Sequence, residues 1–153
     1  MNTVKYLKFE DSSPKDLINI LNEESLRKHL IEHPHFDSYN INEWISGKIE
    51  TNAAKGCRVR VISIDGEIAG WCGIQEDDEG FEIAIVISQK FWGYGIRIFK
   101  TIMSWAKELG HKEVLFHLLE TRRSYKSLAR MARKISHRQL LGRNFSTYYL
   151  LVP

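Results

Sequence analysis

Two cysteines are present in 153 residues, Cys57 and Cys72, in separate apolar segments and with no CxxC pair. That scarcity argues against a disulfide framework and a Cys-rich zinc site, and it makes a reducing cytoplasm the expected location. Proline is also sparse, at three residues, and no low-complexity linker or internal repeat divides the chain. No apolar run approaches the roughly 20 residues that a membrane helix needs. The opening "MNTVKYLKFEDSS" lacks the apolar core of a secretion signal. One domain, spanning 1–153 and large enough to bury a core, is expected at this length.

Acidic residues are missing from the C-terminal stretch. Beyond Glu120 there is none, while Arg122, Arg123, Lys126, Arg130, Arg133, Lys134, Arg138 and Arg143 supply eight positive charges. The net charge of +3 therefore hides an asymmetry. Those eight are part of 22 basic residues, so the first 120 residues carry 14 against 19 acidic ones. A basic end of this kind suits nucleic acid, an acidic protein face or a phosphorylated small molecule, or is simply a solvated helix face.

Hydrophobic patterning gives the order of elements. "TVKYLKF" alternates like a strand, and "SSPKDLINILNEESLRKHL" reads as a helix with a serine cap, Pro14 at its first position and Asp16 in its first turn. The loop "EHPHFDSYN" leads to a second helix over "INEWISGKIETNAAKG". "CRVRVISIDG" and "DGEIAGWCGI" form a hairpin about Asp65–Gly66, and "FEIAIVIS" is a strand buried on both sides. Two glycines then flank Tyr94, and a helix follows at once. Its apolar stripe comprises Ile96, Phe99, Met103 and Ala106, widened by Ile98, Ile102, Trp105 and Leu109. "KEVLFHLLE" reads as a strand, "SYKSLARMARKI" as a helix and "NFSTYYLLV" as a closing strand. The order β-α-α-β-β-β-α-β-α-β predicts an α+β fold with helices packed on a mixed sheet.

The junction "QKFWGYGIR" has the parts of an anion site. A helix start is partly positive, glycine lets the backbone fold into a nest of N–H donors, and Lys90 and Arg97 add charge. It is neither a Walker loop nor GxGxxG, and a plain tight turn explains it as well.

Taken with its flanks, "FEIAIVISQKFWGYGIRIFKTIMSWAKELG" resembles the acetyl-CoA-binding segment of the GNAT superfamily of N-acetyltransferases, whose loop reads Gln/Arg-x-x-Gly-x-Gly/Ala and has "WGKG" versions. Trp92 takes the Gln/Arg place and Gly95 the first required glycine, while Arg97 stands where Gly or Ala is usual. The resemblance implies a mostly antiparallel, twisted sheet with strands 4 and 5 splayed, flanked by about four helices. It also implies acetyl-CoA as co-substrate, an amine of a small molecule or peptide as acceptor, and no metal.

On this resemblance the backbone of Ile85, Val86 and Ile87 would hold the pantetheine and polarise the thioester. Lys90, Trp92, Gly93, Tyr94, Gly95, Ile96 and Arg97 would surround the diphosphate, with Ser127 or Ser124 replacing a family Asn. Glu82 is the candidate base, since a carboxylate on an apolar strand has a raised pKa; Glu120 and His117 compete with it. The usual helix Tyr falls at Ala132, which leaves Tyr125 as the candidate acid; Tyr148 and Tyr149 read as sheet residues. The family's Gly-Phe reads as Ser136 and His137. His33, His35, Phe36, Asp37, Tyr39 and Trp44 would line the acceptor. Two other readings stay open, a CoA-binding module without catalysis and a transferase docking RNA through its basic end. A homodimer is open as well.

Overall fold

The computed structural model describes residues 3–27, 35–119, 126–140 and 142–153. Among them seven strands form one sheet in the order β1-β2-β3-β4-β5-β7-β6. The strands are β1 (Val4–Leu7), β2 (Arg58–Ile64), β3 (Glu67–Asp77), β4 (Gly80–Ile87), β5 (Glu113–Leu119), β6 (Ala132–Leu140) and β7 (Arg143–Leu151). The helices are α1 (Pro14–Leu21), α2 (Glu24–Arg27), α3 (Asn40–Ala53), α4 (Gly95–Glu108) and α5 (Lys126–Met131). All neighbouring strands are antiparallel except β4 and β5, which α4 joins as a crossover. This is the mixed sheet expected from the order of elements and, in being mostly antiparallel, the one the resemblance implies. No helix of the described residues is long and apolar enough to cross a membrane.

Turn chemistry fixes the central meander. Asp65 and Gly66 both take positive φ, 51° and 84°, as a two-residue hairpin with strand-like twist requires. A two-residue turn at 78–79 then sets β3 against β4 from Asp77↔Gly80 to Gly70↔Ile87. Gly70 is needed where it stands, because a Cβ there would run into the Val86 carbonyl.

Alternation along β4 divides the core. Ile83, Ile85 and Ile87 face α4 and meet Ile74, Ile98, Ile102 and Phe116, while Ala84 and Val86 join Trp71, Val59, Leu17 and Ile41 beneath α1 and α3. Ile98 and Ile102 are completely buried, each contributing about 1.5–3 kcal/mol relative to exposure. The N-terminal end of the predicted stripe is different: Ile96 is 73% exposed, lying before the helix settles onto the sheet.

Three expectations change. The first long helix breaks at Asn22 and Glu23, because the Asn22 side chain leaves the helix to exchange two hydrogen bonds with the Phe36 backbone. Pro14 does open α1, but Ser13 makes no side-chain cap. The largest change is in "SYKSLARMARKI": its helix ends at Met131, and Ala132 begins β6, which pairs with β7. β6 is an edge strand, and its outward basic residues suit a solvent-facing edge that must not recruit another strand. Ala132, Ser136 and His137 therefore lie on a strand, and their alignment with a family helix and its exit does not hold. The basic end is also partly neutralised within the molecule, Arg133 by Glu113 at 2.7 Å and Arg138 by Glu79 at 2.9 Å.

Candidate active site

β4 behaves differently at its two ends. Its pairing with β5 consists of Glu82↔Leu115 and Ile83↔Phe116. Beyond Ile83 the strands part, so Ala84–Ile87 keep β3 on one side and face a wedge on the other. The backbone of Ile85, Val86 and Ile87 lies along that wedge. At its far end a 3-10 turn (Gln89–Tyr94) runs directly into α4.

That turn corrects the predicted nest. Neither Gly93 nor Gly95 has a positive φ; Gly95 sits at −54°, an ordinary helical value, and its N–H goes to the Trp92 carbonyl. What the glycines supply is room, since a Cβ at either would meet no heavy atom within 4 Å. A side-chain-free surface at the partly positive end of a 14-residue helix fits an approaching diphosphate by shape and charge. Around it Trp92 Nε1 donates to the Ile87 carbonyl at 3.1 Å, tying the turn to the end of β4. Tyr94 packs edge-on to the buried Phe91. Ile96 and Arg97 are exposed on the first turn of α4. Lys90 is exposed too, and its ammonium pairs with Glu67 at 2.8 Å. Ser127 is exposed at the start of α5, while Glu120, Ser124 and Tyr125 lie outside the described residues.

The zipped end of β4 carries side-chain chemistry. Glu82 projects from the face that α3 covers. Gln75 Nε2 donates to its Oε1 at 2.8 Å, and Lys48 Nζ donates to Gln75 Oε1 at 2.9 Å. His117 Nε2 lies 3.3 Å from Glu82 Oε2 and 3.4 Å from Asp77 Oδ2, and its Nδ1 is 2.7 Å from Thr147 Oγ1. One polar chain thus runs from Lys48 on α3 through β3, β4 and β5 to Thr147 on β7. Glu82 and His117, competing candidates in the sequence, are neighbours in it.

Burial holds the Glu82 carboxyl above the ordinary carboxylate range. The Gln75 hydrogen bond, His117 and Lys48 draw it back, and Asp77 pushes it further up. Burial likewise lowers Lys48 to about 8, against the pull of Glu82, while its ammonium sits 4.0 Å from the Trp71 ring centroid. A carboxyl raised in this way is a setting for accepting protons.

The acceptor-side residues divide. Phe36 stacks edge-on to Trp44, and Trp44 in turn to Trp71 and Phe9, forming an aromatic wall that leads to Lys48. Tyr39 is 84% exposed, and His35 is exposed as well. Asp37 Oδ1 accepts the N–H groups of Tyr39 and Asn40 and closes the turn into α3. His33 lies outside the described residues.

Sequence reading missed Gln75, Asp77, Lys48 and the contact of the Glu23 carboxylate with the buried Ser88 hydroxyl at 2.8 Å. Gln75 could have been found, because the hairpin register places it opposite Glu82.

A family model described as the acetyltransferase (GNAT) family matches residues 15–135. Curated proteins give no significant sequence match. Among solved structures, an N-acetyltransferase from Staphylococcus aureus superposes with a TM-score of 0.71 at 13% identity, covering 100% of this chain and 99% of its own. A ribosomal-protein-alanine N-acetyltransferase from Brucella melitensis gives 0.68 at 13% identity over 97% and 99%. The N-acetyltransferase PseH from Campylobacter jejuni, solved in complex with acetyl coenzyme A, gives 0.65 at 13% over 99% and 100%. At such identities the likeness speaks for the fold.

Proposed function

The chain belongs to the GNAT acetyltransferase family, and on that premise we propose that it transfers the acetyl group of acetyl-CoA to a primary amine of a small molecule or peptide. The observation that carries this reading is the parting of β4 from β5 beyond Ile83↔Phe116, with the start of α4 at the end of the opening. Acetyl-CoA supplies a thioester whose carbonyl carbon an amine can attack. The chain must then hold the cofactor, keep water out and take a proton from the amine.

Binding falls to the backbone of Ile85–Ile87 and to the turn Trp92–Arg97. A strand edge offers hydrogen-bonding groups to an extended amide-bearing arm. The bare surface of Gly93 and Gly95 lets the diphosphate come close to the helix terminus. The apolar side chains of Ile83, Val86 and Ile87 are buried on both sides of β4 and exclude water from the wedge.

Proton acceptance falls to Glu82. An amine attacks only as the neutral base, and a carboxylate with a raised pKa is better matched to that transfer near neutral pH than an ordinary one. Gln75 fixes one oxygen of Glu82 and His117 stands at the other, so the group is held for its task by residues from neighbouring strands. Tyr125 remains the candidate proton donor to the departing thiolate. The aromatic wall of Phe36, Trp44 and Trp71 forms one side of the acceptor approach.

The test is to incubate the protein with acetyl-CoA and a panel of small primary amines and peptide N-termini while following free thiol. Thiol release that requires one class of amine supports the proposal. Binding of acetyl-CoA, seen as a rise in melting temperature, without thiol release from any amine would leave a binding module. No rise at saturating acetyl-CoA would remove both readings.

A further inference from the structure

We infer that Asp77, Glu82 and His117 form a binding site for a divalent ion of the zinc class. One ligand atom from each residue lies within 4.8 Å of the others. The two separations from His117 Nε2, 3.3 and 3.4 Å, go to Glu82 Oε2 and Asp77 Oδ2. Bonds of ~2.0–2.1 Å to a tetrahedral zinc place neighbouring ligand atoms about 3.3–3.4 Å apart. The same separations are long for an N–H···O hydrogen bond.

The state of His117 points the same way. Its side chain is only 11% exposed, its Nε2 is buried, and that nitrogen makes no hydrogen bond. It is nevertheless aimed at two carboxylate oxygens. With the Nδ1 proton given to Thr147 Oγ1, Nε2 presents its lone pair to the two anionic oxygens, and a positive species among the three atoms relieves that repulsion.

The supporting contacts resemble those around metal ligands. Thr147 Oγ1 engages His117 Nδ1 at 2.7 Å and so fixes the ring orientation. Gln75 Nε2 engages Glu82 Oε1 at 2.8 Å and leaves Oε2 directed at the cluster. Ligand atoms anchored through their second atom are the common arrangement in metal sites. Asp77 and Glu82 are 20% and 21% exposed along their side chains, so an ion and a completing water can reach them. The nearby cation, Lys48, is held on Gln75, on the Oε1 side of Glu82. Cysteine spacing, which spoke against a zinc site, has no bearing on ligands of this kind.

An ion held there occupies the Glu82 oxygen that faces His117. Filling the site therefore inhibits acetyl transfer, a consequence that rests on Glu82 being the proton acceptor. The test begins with the metal alone. The metal-stripped full chain is titrated with Co²⁺, read by its visible absorption, and with Zn²⁺ by equilibrium dialysis. Both measurements are repeated on Asp77→Asn and on His117→Gln. One ion per chain, with a four-coordinate cobalt spectrum and affinity reduced at least ~10-fold in both variants, is the expected result. No cobalt spectrum, or binding that neither variant weakens, overturns the site and leaves the transferase reading untouched. Acetyl transfer is then measured against Zn²⁺. Inhibition that tracks occupancy supports the full proposal, whereas stoichiometric binding without inhibition keeps the site and overturns its link to Glu82.

Discussion

The two ends of β4 do different work with different materials. From Ala84 onward the strand has lost β5, and what matters is main chain, an absence of side chains at Gly93 and Gly95, and a helix terminus. At Glu82 the strand is zipped to both neighbours, and what matters is side chains gathered from α3, β3, β5 and β7. In the proposed reading, the first region receives a ligand that brings its own charge. The second holds partly buried charge of its own. On the proposed function, binding and proton transfer are separated along a single strand, so that each should be open to damage without the other.

Glu82→Gln should make the separation plainest. Turnover is expected to fall about 10²–10⁴-fold, the usual contribution of a general base, with acetyl-CoA affinity unchanged. Because burial raises the Glu82 pKa, the wild-type rate should climb with pH above the ordinary carboxylate range, and the variant should lose that limb. Rate profiles alongside calorimetric titration of acetyl-CoA would decide it; equal losses of rate and affinity would merge the two regions.

The converse change is Gly95→Val. A backbone at φ −54° accepts any residue, so the fold should survive, while the branched side chain fills the space the diphosphate needs. Acetyl-CoA binding should weaken about 100-fold, close to 2.7 kcal/mol, with the melting temperature of the free protein nearly unmoved. A variant that binds as tightly as wild type would show that the glycines are mere turn residues.

A third change acts on stability. The folded-state pKa of Lys48, about 8, lies below its ordinary 10.5. Below both values the amine is charged folded and unfolded, and burial then costs stability; between them the unfolded chain binds more protons, so stability rises with pH. Lys48→Met should accordingly be more stable at pH 7, on the order of 1–2 kcal/mol after allowing for partial exposure. The advantage should shrink as pH climbs from about 8 to 10.5, which denaturant melts across that range would follow.

The smallest effect belongs to Arg138→Gln. This ion pair with Glu79 is outside both regions, with Glu79 45% exposed. A marginal loss of stability is expected, as for an exposed ion pair, with no change in rate, and a kinetic effect would mean that the edge strands help to shape the site.

The contrast also explains what the sequence could disclose. The ligand-receiving end is contiguous: strand, Trp-Gly-Tyr-Gly and amphipathic helix follow one another within thirty residues, so a linear reading finds them. Even there the role of the glycines was misjudged, since spacing cannot distinguish a need for positive φ from a need for space. The proton-accepting end is assembled by topology. Gln75 and Asp77 could be placed beside Glu82 by counting across a two-residue turn, but nothing local ties Lys48 or His117 to Glu82, and only the strand order brings them together. β6 escaped for a different reason. Arg130, Arg133 and Lys134 recur at helical spacing, and an exposed edge strand lacks the apolar alternation that would have marked it.

Hydrogen exchange measured with and without acetyl-CoA tests the division most directly. The account predicts that the cofactor slows exchange across residues 84–97 and leaves 75–82 as they were. Protection confined to other segments, or spread equally over both stretches of the strand, would contradict it.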